Sequence, residues 1–108
     1  MDVEIPTSQY VSTSGFSGIR NGNTCKFSIT VDILKDIDMV GGPMTIARSF
    51  PYPNSQFNFS LKDFSNNKTY NANIDISGNF NFIMDISGIY YQYRIGTYQT
   101  IGTVSYNY

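Results

Sequence analysis

Two polar side chains stand on either side of an isoleucine at Asn73-Ile74-Asp75, and an arginine, Arg94, follows in a tyrosine-rich segment, Tyr90-Tyr91-Gln92-Tyr93-Arg94. A carboxylate accepts hydrogen bonds from vicinal hydroxyls, an amide both donates and accepts, and a guanidinium offers a rigid fork of donors for hydroxyls, carboxylates or phosphates. Aromatic rings stack on the apolar faces of sugars. Together these residue types make up the donor and acceptor set of a saccharide site. The chain contains no histidine. A Ser-His-Asp or Cys-His arrangement, an imidazole base and His-liganded metal are therefore ruled out. Asp36 and Asp38, two apart, would share one face of an extended segment and could act as a glycosidase pair or contribute to a calcium site. Their spacing is read instead as a solvated acidic bend, because catalytic carboxylates normally need opposed strands and perturbed surroundings.

The composition limits the alternatives. With 108 residues, 41% of them hydrophobic, the chain is read as one domain, residues 1–108, able to bury a modest core. Only 14% of residues are charged, against about 25% in ordinary domains, so Asn, Ser, Thr, Gln and Tyr must cover the surface. A net charge of −1 with scattered cations gives no basic stripe for nucleic-acid phosphates. No apolar run approaches the roughly 20 residues of a membrane helix, and no leader pattern is visible at the N-terminus, so neither nucleic acid nor membrane is expected as a partner. The single cysteine, Cys25, lies in register with Phe27 and Ile29 and is read as a small buried hydrophobe. No cofactor is implied. Asn58-Phe59-Ser60 and Asn67-Lys68-Thr69 match the glycosylation triplet only as a chain rich in Asn and Ser would by chance.

The elements that must position these residues are strands throughout. Cys25, Phe27, Ile29, Val31 and Ile33 recur at period two and predict a long strand over 24–34. The Asn21-Gly22-Asn23 turn before it leads back to strands over 9–14 and up to Arg20. Gly41-Gly42-Pro43 breaks the pattern before a strand over 44–50. Phe57, Phe59 and Leu61 alternate next, then Tyr70, Ala72, Ile74 and Ile76. Ser77-Gly78 turns this strand onto one face formed by Phe80, Phe82, Met84 and Ile86. Segments 90–95 and 99–106 complete about eight strands, and the predicted fold is an all-β antiparallel Greek-key barrel or sandwich. Within 90–94 alternation places Tyr90, Gln92 and Arg94 on one face and Tyr91 and Tyr93 on the inner one.

The order of these elements, the Asn21-Gly22-Asn23 hairpin and the C-terminal run from Gly96-Thr97-Tyr98 to Tyr108 resemble the head domain of receptor-binding proteins from lactococcal phages. The sharpest correspondence is Asn73-Ile74-Asp75-Ile76 with its Ser77-Gly78 turn, similar to a His-Ile-Asp-Ile stretch, turn and Trp in those heads. The resemblance implies a homotrimeric, non-catalytic module in the virion, at the phage tail tip or baseplate, that binds a host cell-wall saccharide for adsorption. The saccharide would include polymers containing glycerol phosphate. It further implies Asp75 as acceptor, Asn73 in the place of the His, Phe82 near the place of the Trp and Arg94 as donor. Other baseplate proteins would be met through upstream regions. The alternatives are a virion packing module without a ligand and a polysaccharide-degrading enzyme built on Asp36 and Asp38.

Overall fold

The computed structural model describes residues 1–6 and 8–108. It contains eleven strands: β1 (Val11–Asn21), β2 (Thr24–Ile33), β3 (Ile37–Val40), β4 (Met44–Ala47), β5 (Phe57–Asp63), β6 (Lys68–Ile74), β7 (Phe80–Ile83), β8 (Asp85–Ser87), β9 (Tyr90–Tyr93), β10 (Gly96–Thr100) and β11 (Val104–Asn107). Eight form one antiparallel sheet in the order β1-β2-β10-β5-β6-β7-β4, with β11 also on β2, and this sheet curls into a nearly closed barrel. A three-stranded sheet, β3-β9-β8, stands beside it.

Alternation in β2 explains why it lies at the centre. Cys25, Phe27, Ile29, Val31 and Ile33 are all buried and face the core. One edge of β2 pairs with β1 along its length, from Asn21↔Thr24 to Val11↔Ile33. Its other edge is shared, with β11 on Thr24–Phe27 and β10 on Thr30–Ile33. At Ile29, between these two partners, the buried Thr100 hydroxyl takes the place of a neighbouring strand: it accepts from Ile29 N (3.1 Å) and donates to Ile29 O (3.4 Å). A main-chain pair that would otherwise be buried without partners is thus satisfied by a side chain.

The core is aromatic. The Phe27 ring meets Phe50, Phe59, Phe80 and Tyr106 at centroid separations of 5.2, 5.4, 6.2 and 6.4 Å, all edge to face, the geometry that ring quadrupoles favour. Phe82 packs with Tyr93 and Tyr98 at 5.6 and 5.3 Å. The Tyr93 hydroxyl joins three elements, donating to Phe82 O in β7 and accepting from Met44 N in β4 at 2.8 Å. Burial pushes this hydroxyl up to about 12, so it remains a donor at any ordinary pH.

The structure departs from the sequence reading in several places. The segments over 9–14 and up to Arg20 are a single strand, β1, with an irregularity between Ser14 and Ser17 where Gly15 has φ +59°. The unbroken apolar alternation of Phe80, Phe82, Met84 and Ile86 is split, because the chain leaves the barrel at Met84 and continues as β8 of the small sheet, leaving Ile86 exposed. Segment 99–106 is likewise divided at Gly102, whose φ of +65° ends β10 and begins the return as β11. The expected acidic bend is an extended strand, β3, whose Ile37 and Met39 pack against the core while Asp38 points to solvent.

Removing the Tyr93 hydroxyl (Tyr93→Phe) strands the Met44 N–H and the Phe82 carbonyl in the interior. The expected loss is about 1–3 kcal/mol in urea unfolding, against about 0.5 kcal/mol or less for the same change at exposed Tyr90.

Candidate functional site

The β6–β7 turn is held by the Asp75 carboxylate. Its Oδ1 accepts from Ser77 N (2.9 Å) and Asn79 N (3.1 Å), and its Oδ2 accepts from Asn81 Nδ2 (3.0 Å). The main chain closes the same turn through Gly78 N to Asp75 O (2.9 Å) and Asp75 N to Asn79 O (3.0 Å). Gly78 is required here: its φ is +80°, and a Cβ would lie 2.4 Å from Phe50 O and 2.9 Å from the Tyr52 ring. Burial works against the Asp75 charge, but the bonds from Asn79, Asn81 and Ser77 outweigh it and hold the carboxyl below the usual carboxylate range.

The outer face of the barrel carries a row of side chains in direct register across four strands. Asn58 of β5 opposes Asn73 of β6, Asn73 opposes Asn81 of β7, and Asn81 opposes Thr45 of β4. Strand pairing spaces them by about 4.8 Å. Hydrogen bonds connect most of the row: Thr45 Oγ1 donates to Asn81 Oδ1 (3.0 Å), and Asn81 Nδ2 donates to Asn73 Oδ1 (3.1 Å). Gln56 Nε2 extends it by donating to Asn58 Oδ1 (2.8 Å). Asn73 and Asn81 are only 5% and 9% exposed, yet both find partners. Beside the row lies a depression of about 330 Å³ lined by Gln56, Asn58, Asn71, Asn73 and Ile83, among others. Amides of this kind present donors and acceptors together, matching hydroxyls that also do both.

Of the four residues expected to bind a saccharide, the structure brings two together. Asn73 and Asp75 are joined through Asn81, which the sequence reading did not single out. Asp75 sits partly buried in the turn following β6 rather than exposed on the polar face of a strand, and Ile76 beside it is exposed instead of continuing the apolar face. Phe82 is fully buried among Tyr93 and Tyr98 and presents no ring face to a ligand. Its register with Phe80 was the signal that placed it inside. Arg94 lies at the far end of β7, where its N–H donates to Met84 Sδ (3.3 Å), about 15 Å of extended strand from the Asp75 turn. Its Nη1 meets Tyr93 O at 3.1 Å and Asp38 Oδ1 at 3.5 Å. Asp36 Oδ1 accepts from Ile95 N (3.0 Å), so Asp36 and Asp38 both tie β3 to the β9–β10 connection. Arg94 and Tyr90 are exposed while Tyr93 is buried, as alternation required.

Other surfaces differ in character. An apolar cavity of about 270 Å³ lies between the edge strands β1 and β4, lined by Tyr10, Val11, Ile37, Met39, Met44 and Ile46 among others, with no charged side chain among the described residues of its wall. Cys25 is buried, and burial pushes its thiol up. Among the described residues no helix is long and apolar enough to cross a membrane. Comparison with known proteins yields no matching family model, no matching curated protein and no matching solved structure.

Because the folded Asp75 carboxyl titrates below its unfolded value of about 3.9, its contribution is complete above that pH and is lost as pH falls through the folded value. Asp75→Asn places an amide against the Asn81 amide and is expected to cost about 1–3 kcal/mol near neutral pH. Chemical denaturation from pH 7 to 2 should show the gap between wild type and variant narrowing below about pH 4. A gap independent of pH would show that the charge does not hold the turn.

Proposed function

We propose that the chain is the head of a phage receptor-binding protein, located in the virion at the tail tip or baseplate, that adsorbs to a host cell by recognising a cell-wall saccharide without cleaving it. The observation that carries this reading is the in-register row Asn58, Asn73, Asn81 and Thr45 beside its amide-lined depression, on a rigid sheet. Uncharged groups that both donate and accept suit a neutral polyhydroxyl chain, and strand spacing presents them at a regular interval. The likeness of Asn73-Ile74-Asp75-Ile76 and its turn to the phage heads falls on this same region. The binding set is accordingly Gln56, Asn58, Asn71 and Asn73 with Asp75 bracing them, and Arg94 outside it. Weak affinity at each site is compatible with adsorption, since many copies on one particle act together. Val40 and Ile86, exposed on the small sheet, and Ile89, exposed in its β8–β9 turn, support association of protomers, which the phage reading makes a homotrimer.

A second reading, a virion packing module with no ligand, is favoured by one observation. Three of the about four acceptor positions of the Asp75 carboxylate are already used, two within its own turn and one by Asn81 of β7.

Gln56 and Asn71 are exposed, so replacing both by Ala should change stability by about 0.5 kcal/mol or less while removing ligand contacts. Labelled wild type is expected to bind selected Gram-positive cells and their extracted wall polysaccharide, the double variant about tenfold or more weakly, and Arg94→Ala as well as wild type. Equal binding by wild type and double variant would remove the site, and no binding of wild type to any polysaccharide would favour the packing module.

A further inference from the structure

At the end of the barrel where the β6–β7 turn lies, a depression of about 390 Å³ is lined by Arg20, Ser49, Phe50, Pro51, Tyr52 and Tyr108. It shares no lining residue with the amide-lined depression. Each wall is held firmly. Arg20, at the end of β1, donates from Nε to the Tyr108 hydroxyl (3.0 Å), which in turn donates to Gly22 O (2.9 Å). The guanidinium carbon lies 5.1 Å from the centre of the Tyr108 ring. Anchoring through Nε and the ring leaves the terminal nitrogens, the prongs of the fork, for a ligand. The other arginines have carboxylate partners, Arg48 with Glu4 and Arg94 with Asp38, whereas Arg20 has none among the described residues.

Tyr52 also lines the depression and is 68% exposed, although its neighbours Pro51 and Pro53 are both buried. The two prolines fix φ on either side of it, and the buried Tyr106 hydroxyl grips Pro51 O at 2.7 Å. The Tyr52 ring rests against Gly78, where no Cβ intervenes. Ser49 has φ +70°, a conformation uncommon for any residue but glycine. It is held there between Arg48, bonded in both directions to Glu4, and Phe50, whose N–H donates to Gly78 O. Strain kept in place by its surroundings is a feature of ligand clamps. A guanidinium anchored through Nε and an aromatic ring backed by Gly78 lose less entropy on binding than unanchored side chains would.

We propose that this depression is a binding site for a small ring compound bearing an anionic oxygen group, the carboxylate or phosphate held by the Arg20 fork and the ring face lying on Tyr52. The site goes beyond the phage reading and does not depend on it. Two ligand chemistries fit, a sugar acid or sugar phosphate and an aromatic carboxylate, and they share the anion next to a ring.

The test is a titration of the labelled protein, followed by amide chemical shifts, with glucuronate, glucose 1-phosphate, 4-hydroxybenzoate, inorganic phosphate and neutral glucose. Saturable shifts at Ser49, Phe50, Tyr52, Arg20 and Tyr108 are expected with at least one anionic ring compound, weakening as salt is raised, and not with glucose. Whichever class saturates identifies the ring. Arg20→Lys keeps the charge but loses the fork, and should bind about tenfold more weakly; Tyr52→Ala, at an exposed position, should weaken the ring compounds while leaving inorganic phosphate unaffected. Unshifted resonances with all three anionic ring compounds, or unchanged affinity in both variants, would overturn the proposal. Either result leaves cell-wall binding through Gln56 and Asn71 standing or falling on its own test.

Discussion

Every tyrosine buried in this interior brings a hydroxyl that must find an acceptor, and much of the architecture follows from where those acceptors are. Tyr93, Tyr98 and Tyr106 are almost wholly buried, and each donates to a main-chain carbonyl: Phe82, Arg94 and Pro51 respectively. The first joins the barrel to the second sheet, the second fixes the β9–β10 connection, and the third fixes the segment that carries Tyr52. Burial pushes Tyr93 and Tyr98 up to about 12 and Tyr106 further still, so these hydroxyls do not ionise under ordinary conditions. Phenylalanine would fill the same space but could not pin a loop, which is why a chain with so few charges holds its irregular segments with aromatic side chains.

The same substitution of neutral hydrogen bonds for charge recurs among the buried polar groups of the sheet. The Thr100 hydroxyl stands in for an absent strand partner at Ile29, and Asn73 and Asn81 share bonds across β6 and β7. Only two ion pairs form among the described residues, and all four of their side chains are about half exposed or more, where such pairs contribute little to stability. Rigidity therefore comes from satisfied amides and hydroxyls, and the amides that brace the sheet adjoin those left to meet a ligand.

Local alternation made β2, β5 and most of β6 legible, because each turns an alternating apolar face to the core, buried from end to end in β2 and partly to fully buried in β5 and β6. It could not reveal where a strand leaves one sheet for another: Phe80, Phe82, Met84 and Ile86 keep perfect period two, and only the position of β9 decides that Ile86 lies outside the barrel. β3 was missed because a strand of four residues that follows Asp36 and itself contains Asp38 is too short for its alternation to stand out. Asn73 and Asp75 were singled out from their residue types and from the phage-head resemblance, but the use of Asp75 in its own turn depends on Asn79 and Asn81, one and three positions beyond the Ser-Gly signal. Arg20, Tyr52 and Tyr108 lie far apart in the chain, and no local pattern could have assembled them.

The sharing of β2 between both ends of the chain also governs the order in which it can fold. β1 and β2 are neighbours in sequence and can pair as soon as both have emerged, yet the opposite edge of β2 waits for β10 and β11 at the far end. At a synthesis rate of roughly 5–20 residues per second, that edge stays unpaired for several seconds while the intervening strands are made. A nascent chain therefore passes through an interval in which its most apolar strand has an open side, in a crowd of other nascent copies with the same open side. Sticking together during synthesis, more than unfolding afterwards, is the hazard that this topology creates for the molecule.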